Sequence, residues 1–502
     1  MPLAFEHPAF AGAGRPDRVA VIDIGSNSIR LVVYDALTRA PFPIFNEKIM
    51  CGLGRTVERT GHLNPDGVKL ALANLERFGH LVRGMHVARV DVLATAAVRD
   101  ADDGPAFVAE VERRTGLTVR VISGEEEARL SAQGVLSGTP GADGLMGDLG
   151  GGSLELVGLE RGVIGPQVTL PLGPFRLIDA AGGRQAAAVK IIDQHLEKLS
   201  WLAGHRGRAF FPVGGNWRAL AKLHMEHVRH PLHVIHHYEI AGPMARDFAA
   251  LVARQSKGSL DRMGGGSRRR NDTLPFAALV MERLIRMVQP SSVVFSAYGL
   301  REGHLFDLLS PEEQRHDPLI ASCEELAARQ GRFGTAEILV SWTAGLFGGE
   351  DQGAACLRHA ACLLSDLGWV EHPDYRAEHA FLRILRLPFA GLDHAERAFL
   401  ALALHTRYGG RLDDGLTAPA RGLVREGQAI KANILGLALR LAHTLTGGVM
   451  TLLQRTSLRL DEDRLILVLP EDEASLKGEM VERRLESLAK ALSRTAEIQT
   501  RG

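Results

Sequence analysis

Two similar stretches of sequence determine the fold we expect: DIGSNSIRLVVYD (residues 23–35) and DLGGGSLELVGLE (residues 148–160). Five of their thirteen positions are identical, and the two stretches begin 125 residues apart. Each contains an apolar run, a small polar turn and a second apolar run, which is the pattern of a β-hairpin. The repetition predicts an internally duplicated domain.

The segments that follow the first hairpin alternate between helical and strand patterns. Apolar spacing predicts helices at 66–82, 106–115 and 125–136 and strands at 90–95 and 118–122. Such alternation indicates an α/β domain. The Gly- and Pro-rich stretch 137–144 has the composition of a linker that precedes the second hairpin.

Composition limits the class of protein. The 502 residues correspond to about three domains. Lys and Arg number 59, as do Asp and Glu, and a net charge of zero argues against a generally basic nucleic-acid-binding protein. The four cysteines form no Cys-x-x-Cys pair, so the sequence supports neither a disulfide framework nor a zinc ribbon. No apolar run approaches the ~18 residues of a membrane helix, so we predict a cytoplasmic protein with no membrane or nucleic-acid partner.

Changes in composition along the chain predict five regions. The first, 1–18, contains prolines and no continuous apolar run, which indicates a flexible N-terminus rather than a signal peptide. The others are α/β domains at 19–138 and 139–308, an all-α domain at 309–450 and a small α+β region at 451–502. The α+β region is expected because leucines alternate on both sides of an acidic turn, and a helical pattern follows them.

The two hairpin turns are candidate phosphate-binding sites. Successive backbone N–H groups in a Gly-rich turn can point into one concavity and bind phosphate oxygens. The candidate residues are Gly25, Ser26, Asn27 and Ser28 in the first turn and Gly150, Gly151, Gly152 and Ser153 in the second. One such turn often serves hairpin geometry alone, but two related turns predict a clamp around a single phosphate chain.

Two carboxylates, Asp23 and Asp148, lie at the ends of the strands that lead into these turns. Mg²⁺ usually binds a protein through one or two carboxylates and keeps several waters. Carboxylates beside phosphate-binding turns therefore predict Mg²⁺ as a cofactor.

Three consecutive carboxylates, Glu125, Glu126 and Glu127, begin the third predicted helix. Acidic residues in a first helical turn commonly interact with the helix dipole, which is a structural role. Crowded like charges also raise the pKa of at least one member, and such a carboxylate can accept a proton from water. The pattern alone leaves both roles open.

Five motifs, in this order, resemble the exopolyphosphatase / guanosine pentaphosphate phosphohydrolase family of the actin–Hsp70–sugar kinase superfamily. They are DIGSNS (23–28), ATAAVRDA (94–101), ISGEEEARL (122–130), GDLGGGSLEL (147–156) and LREG (300–303). The resemblance implies two ribonuclease-H-like (actin-like ATPase) domains with the active site in the cleft between them. A homodimer is expected by the same analogy.

The resemblance also implies roles for individual residues. Glu127, directly before Ala-Arg-Leu, stands at the position of the catalytic base. Arg99 stands at that of a phosphate-binding arginine, with a surface arginine at a helix start as the alternative. Glu155 stands at that of a glutamate near the metal, unless its side chain faces outward from the strand. We therefore expect Asp148, Glu155 and Asp23 to hold Mg²⁺.

The chain departs from the family pattern at two places. At the adenosine motif it has VGGNWR (213–218), where Trp217 either stacks on a base or packs in the core. This departure favours polyphosphate over a nucleotide. The helical region resembles a degenerate HD-type domain in which Ser365 replaces the metal-binding His before Asp366, so we expect no second metal site there.

These expectations converge on an Mg²⁺-dependent exopolyphosphatase that releases orthophosphate from the ends of inorganic polyphosphate. Hydrolysis of guanosine pentaphosphate is the near alternative, because both substrates end in a phosphoanhydride. A sugar kinase would need an intact adenosine site. A non-catalytic sensor of polyphosphate or nucleotide would bind without turnover.

Overall fold

The computed structural model describes residues 17–263, 271–332 and 336–501. The chain forms two compact units, of which unit 1 ends at Arg315 and unit 2 begins at His316. Apart from its last two positions, the predicted flexible N-terminus lies outside the described residues. Within the described ranges, no helix is long and apolar enough to cross a membrane.

The first half of unit 1 contains a five-stranded mixed sheet. Its strands are β1 (Val19–Ile24), β2 (Ile29–Tyr34), β3 (Pro43–Ile49), β4 (Arg89–Ala94) and β5 (Val119–Val121). Its helices are α1 (Val57–Thr60), α2 (Pro65–Gly84), α3 (Ala96–Asp100), α4 (Gly104–Thr115) and α5 (Gly124–Gly138). The strands follow the order β3-β2-β1-β4-β5, and β4 and β5 run parallel to β1.

The second half of unit 1 contains a six-stranded sheet. Its strands are β6 (Gly144–Leu149), β7 (Leu154–Glu160), β8 (Val163–Leu170), β9 (Ala209–Val213), β10 (Tyr238–Ala241) and β11 (Ser292–Phe295). Its helices are α6 (Pro174–Ala180), α7 (Gln185–Leu196), α8 (Gly215–His227), α9 (Gly242–Ala253), α10 (Lys257–Met263), α11 (Leu274–Val288), α12 (Leu300–Asp307) and α13 (Pro311–Arg315).

The order β8-β7-β6-β9-β11 repeats that of the first sheet, and β10 adds an antiparallel edge strand. The predicted duplication of an α/β unit is therefore confirmed. The third strand of each half in chain order, β3 in the first and β8 in the second, is missing from the sequence prediction. The side chains of these strands are mostly exposed or half-buried and form no apolar run. The predicted linker at 137–144 is too long, since its first two residues complete α5 and Gly144 begins β6.

Each hairpin places two side chains directly opposite each other at the start of its turn. Asp23 is in register with Arg30 on β2, and Asp148 is in register with Glu155 on β7. Residues that face each other across an antiparallel pair lie on the same side of the sheet. The register therefore places an aspartate opposite an arginine in the first half. At the equivalent position of the second half, an aspartate lies opposite a glutamate.

Helices α5 and α12 connect the two halves. Ala132 and Val135 of α5 pack with Met146 and Val157 of the second sheet, and Leu305 of α12 packs with the first sheet. The two helices also cross in close contact, because a Cβ at Gly303 would collide with the carbonyl oxygen of Leu130. Glycine is needed there for the backbones to approach, and the crossing fixes the N-termini of both helices relative to both hairpins.

Unit 2 is helical with a small sheet. Its helices are α14 (Pro318–Gln330), α15 (Ala336–Thr343), α16 (Gln352–Leu364), α17 (Arg376–Arg386), α18 (His394–Arg407), α19 (Ala418–Arg421), α20 (Glu426–Thr446), α21 (Met450–Leu453) and α22 (Glu479–Ala491). Its strands are β12 (Ser457–Leu460), β13 (Arg464–Pro470) and β14 (Thr495–Arg501). The predicted hairpin is β12–β13, and the parallel strand β14 was missed. The domain boundaries predicted within each unit stay predictions.

Candidate active site

The two turns have the same internal hydrogen bond. The amide of Gly25 donates to the carbonyl oxygen of Ser28, and the amide of Gly150 donates to that of Ser153, each at 3.0 Å. These amides therefore close the turns. The amides of the residues between them are the ones left to bind a ligand.

The turns also lie against each other. A Cβ at Gly151 would lie 3.0 Å from the Cβ of Ser26, and one at Gly152 would lie 3.3 Å from the Ser26 hydroxyl oxygen. The close approach of the first turn therefore leaves little room for a side chain at position 151. The sequence prediction that the two turns face one another agrees with this geometry.

A cleft that is open to solvent runs along both turns. Most of the site residues predicted from the sequence line this cleft. They are Asp23, Gly25, Ser26, Asn27, Ser28, Glu127, Asp148, Gly150, Gly151 and Ser153. The remaining three, Gly152, Arg99 and Glu155, adjoin residues of this lining. The structure therefore brings the predicted residues together in one place.

The three consecutive glutamates separate in space. Ser123 caps α5, and its hydroxyl accepts from the amide of Glu126 at 3.1 Å. Glu125 accepts from the Gln167 side chain, and Glu126 pairs with Arg120. Only Glu127 turns into the cleft.

Burial raises the pKa of Glu127 to about 7. Arg99, whose Nη1 donates to Glu127 Oε2 at 3.2 Å, opposes this rise, whereas Asp148 and Asp23 add to it. The pKa of one glutamate is raised, as expected, but the expected cause, crowding among the three neighbouring glutamates, is wrong. Burial and carboxylates from the two hairpins are responsible, and both require the tertiary fold.

Asp148 and Glu155 form an acidic pair in which Glu155 is buried and Asp148 is half-buried. The hydroxyl of Ser131 donates to Asp148 Oδ2 at 2.7 Å. Glu155 is 1% exposed, so its side chain does not face outward, and its Oε1 is buried without a hydrogen-bond partner. Burial, followed by Glu127 and Asp148, raises the pKa of Glu155 well above its ordinary value. Ser131 was missed by sequence reasoning, although it lies four residues after Glu127 on the same helical face.

Asp23 is neutralised by a cation from α12. Arg301 Nη1 donates to Asp23 Oδ2 at 2.9 Å. Arg301 is buried and lines the cleft together with Lys48 and Arg218. Sequence reasoning gave these three residues no role. The LREG motif contained a signal for Arg301, but only the fold brings it to a hairpin 278 residues away.

Arg99 is held by three acceptors in this structure. It donates to Glu127, to Asp100 at 3.1 Å and to the carbonyl oxygen of Ile122 at 3.1 Å. Its side chain is therefore positioned beside the cleft. Phosphate binding by Arg99 remains a prediction.

Trp217 packs in the core. It is fully buried, and its indole N–H donates to the carbonyl oxygen of Ala277 at 2.9 Å. Of the two interpretations that the sequence left open, core packing is the one observed. The neighbouring Gly214, Gly215 and Asn216 line the cleft.

In unit 2, Ser365 and Asp366, which stand where an HD-type domain has its metal-binding pair, make contacts with other side chains. Ser365 contacts His443 Nε2 at 3.0 Å, and Asp366 accepts from Arg332. Two further histidines of this unit, His379 and His405, contact Glu371 and Asp414 respectively. Across the described part of the chain, no three His, Cys, Asp or Glu residues form a group able to hold a metal ion.

Comparison with known proteins assigns this arrangement to a class of hydrolases. The model of the Ppx/GppA phosphatase family matches residues 18–312, and the model of the C-terminal region of exopolyphosphatases matches residues 319–498. The chain belongs to the Ppx/GppA phosphatase family, and it is a hydrolase.

Individual relatives agree with this assignment. Exopolyphosphatase 1 of Mycobacterium tuberculosis is 27% identical over 319 residues, which cover 59% of this chain and 89% of the relative. Exopolyphosphatase 2 of the same organism is 28% identical over 299 residues, covering 54% and 90%. The crystal structure of an exopolyphosphatase from Cytophaga hutchinsonii, at 24% identity, superposes with a TM-score of 0.53 over 58% of this chain and 97% of that one. The last comparison concerns the fold alone.

Proposed function

We propose that this protein is an exopolyphosphatase, which hydrolyses the terminal phosphoanhydride of inorganic polyphosphate. The observation that carries the proposal is Glu127. It is a buried carboxylate whose pKa lies at about 7, and it faces a cleft formed by two glycine-rich turns. A base with this pKa is matched to proton transfer near neutral pH. The names of the mycobacterial relatives support polyphosphate as the substrate.

In the proposed mechanism the two turns hold the terminal phosphates and Glu127 acts on the attacking water. Free amides of the turns bind phosphate oxygens, and Arg301, Arg218 and Lys48 supply positive charge along the cleft. Glu127 accepts a proton from water as the water oxygen bonds to the terminal phosphorus. The bridging oxygen leaves with the shortened chain. Positioning and charge neutralisation provide most of the rate enhancement in phosphoryl transfer.

We propose that Asp148 and Glu155 hold Mg²⁺. Both are acids on one side of the sheet, Glu155 buried and Asp148 half-buried, and the unpartnered Oε1 of Glu155 lacks a hydrogen bond that a ligand would replace. Two carboxylates suffice, because Mg²⁺ commonly completes its coordination with waters and phosphate oxygens. When bound, Mg²⁺ would neutralise charge on the transferred phosphoryl group. Asp23 is less suited to direct coordination, since Arg301 already neutralises it.

Guanosine pentaphosphate is a second candidate substrate, since the family name covers both activities. Polyphosphate is favoured because Trp217 packs in the core and offers no surface for stacking on a base. A binding-only sensor is disfavoured because such a protein has no need of a carboxylate with a pKa of about 7.

The test is phosphate release by the purified chain from long-chain polyphosphate and, separately, from guanosine pentaphosphate, each with Mg²⁺. We expect release from polyphosphate, and its loss in Glu127→Gln with substrate binding retained. Release from the guanosine nucleotide alone would transfer the function to turnover of that nucleotide. Binding of either substrate without release would contradict an enzymatic role.

A further inference from the structure

Each hairpin turn of the cleft is held by a neighbouring segment of its own half. Beside the first turn, the amide of Gly54 donates to the carbonyl oxygen of Ser26 at 2.8 Å, and a Cβ at Gly54 would lie 2.9 Å from the Cβ of Ser26. Beside the second turn, the amide of Phe175 donates to the carbonyl oxygen of Gly151 at 3.0 Å. A movement of either supporting segment would therefore move the turn that it holds.

The supporting segments also contact each other across the two halves, and Arg176 makes the charged contacts. Arg176 lies on α6, directly after Phe175. Its Nε lies 3.0 Å from Glu58 Oε2 on α1, and its Nη2 donates to Asp100 Oδ2 on α3 at 2.7 Å. The guanidinium of Arg55 lies over the Phe175 ring, 6.0 Å from the ring centroid. One arginine of the second half is therefore paired with two carboxylates of the first half.

Asp100 extends this contact toward the active site. Its Oδ1 accepts from Arg99 Nε at 3.1 Å while its Oδ2 accepts from Arg176, so one carboxylate holds both arginines. Arg99 in turn donates to Glu127. Arg176 is not among the described residues that line the cleft. It can therefore influence a ligand there through the residues that it holds or through its charge.

We infer that Arg176 is a positioning residue for substrate binding, because its ion pairs with Glu58 and Asp100 fix the separation of the two turns. The crossing of α5 and α12 joins the halves at one place, and a second point of attachment opposes rotation about the first. A phosphate chain held by both turns is bound most tightly when their spacing is already correct. The inference rests on the proposed function, which supplies a phosphate chain as the ligand of both turns.

The first experiment is calorimetric titration of the full-length Glu127→Gln chain with inorganic tripolyphosphate, alone and with either Arg176→Gln or Glu58→Gln added. The two additions change the net charge in opposite directions, although each removes an ion pair between the halves. If Arg176 acts by charge alone, Arg176→Gln weakens binding and Glu58→Gln strengthens it. Positioning predicts that both weaken binding, with Kd rising about tenfold in Arg176→Gln and about threefold in Glu58→Gln.

Arg283→Gln is the matched control. Arg283 donates to both carboxylate oxygens of Asp193 at 2.7 and 2.8 Å, and its side chain is 26% exposed against 23% for Arg176. Both partners of this control pair lie in the second half, on α11 and α7. We expect Arg283→Gln to leave Kd unchanged. Arg176→Lys keeps the charge but not the planar guanidinium that contacts two carboxylates, so it should recover part of the lost affinity.

The second experiment is steady-state hydrolysis of long-chain polyphosphate by chains that retain Glu127. Arg176→Gln should raise KM about tenfold and leave kcat within about threefold, because weaker binding by the turns affects substrate and transition state alike. Arg283→Gln should change neither constant. A merely structural role for Arg176 would lower thermal stability in both variants without this separation of KM from kcat.

The outcomes distinguish this inference from the proposed function. A parent chain that neither binds nor hydrolyses phosphate chains would overturn both, and binding without release would overturn the proposed function while the comparison of Kd values still tests the inference. Equal Kd and KM in Arg176→Gln and Arg283→Gln would overturn the inference alone. Unchanged or tighter binding by Glu58→Gln would do the same. This last result also decides the matter if Arg176→Gln fails to fold, since the Glu58 side chain is 45% exposed.

Discussion

The two halves of unit 1 place the same residue types at equivalent positions and surround them differently. The segments GEEEARL (124–130) and GLREGHL (299–305) share their Gly, the fourth-position Glu and the final Leu. Both begin the helix that follows the last parallel strand of their sheet. Glu127 and Glu302 are therefore counterparts.

Their surroundings give these two glutamates opposite properties. Burial alone would raise both pKa values. For Glu302, Arg301 and the amide of Gly299, which donates at 3.0 Å, lower the pKa below its ordinary value. For Glu127, the positive charge of Arg99 does not offset the rise in pKa that burial and the carboxylates of Asp148 and Asp23 cause. Duplication supplied two equivalent glutamates, and charge placement left only one of them able to exchange a proton near neutral pH.

The same divergence occurs on the hairpins. Arg30 and Glu155 occupy equivalent cross-strand positions, opposite Asp23 and Asp148. Burial, followed by repulsion from Arg301, lowers the pKa of Arg30 to about 10. The cross-strand pair is therefore an aspartate with an arginine in the first half and two acids in the second, which favours the second hairpin for metal binding.

The largest expected effect separates Glu127 from Glu302. Glu127→Gln should lower kcat for phosphate release by about 10²–10⁴-fold, which is the usual contribution of a general base, with little loss of stability. Glu302→Gln should mainly destabilise the fold, because it removes a buried carboxylate that pairs with Arg301 and accepts from the amide of Gly299. Steady-state kinetics and thermal unfolding of both variants check this. A larger loss of kcat in folded Glu302→Gln than in Glu127→Gln would break the comparison.

The next effect separates Glu155 from Arg30. Glu155→Gln should raise the Mg²⁺ concentration needed for half-maximal activity by about tenfold or more, since it removes a charged oxygen ligand. Arg30→Gln should instead raise KM for polyphosphate, because it removes a positive charge. Titrations of Mg²⁺ and of substrate on each variant distinguish these outcomes. An unchanged Mg²⁺ requirement in Glu155→Gln would remove this residue from the metal site.

A smaller effect concerns two arginines that follow equivalent parallel strands of the two halves, Arg99 after β4 and Arg218 after β9. The acidic limb of kcat/KM should have its midpoint near pH 7, because Glu127 must be ionised to act as a base. Arg99→Gln should move this midpoint upward by about one pH unit, since a cation within contact distance lowers a carboxyl pKa by that amount or more. Arg218→Gln should move it less, because Arg218 acts on Asp148. A midpoint that moves downward in Arg99→Gln would contradict the account.

The smallest expected effect is on the pH dependence of stability. The pKa of Glu127 is about 7 in the fold against 4.5 for the ordinary group, so the folded state binds this proton more tightly than the unfolded state. The free energy of unfolding should therefore fall as pH rises from about 4.5 to about 7. Chemical denaturation across this range should show a shallower fall in Glu127→Gln. Glu126→Gln, whose partner is the half-exposed Arg120, should not alter the slope.

Much of this site could be predicted from the sequence because its residues cluster in short motifs. The two turns, Asp23 and Asp148 came from local patterns and the choice of Glu127 from the family resemblance, and the structure places them around one cleft. The internal repeat also predicted the duplicated sheet, since five identical positions lie in the strands and turn that begin each half.

The rest depended on contacts between distant segments. Arg301 reaches Asp23 only because α12 crosses α5 at Gly303. The pKa of Glu127 depends on burial and on carboxylates from two separate hairpins, and neither can be read from the three adjacent glutamates. Edge strands such as β3 and β14 were missed because their half-buried, polar sequences resemble loops.

The most direct test of the central claim is hydrolysis of long-chain polyphosphate in water enriched in ¹⁸O, with Mg²⁺, followed by mass spectrometry of the released phosphate. Attack by Glu127-activated water on the terminal phosphorus predicts one ¹⁸O atom in each released orthophosphate, with release lost in Glu127→Gln. Unlabelled orthophosphate, with ¹⁸O found instead at the new end of the chain, would contradict the account.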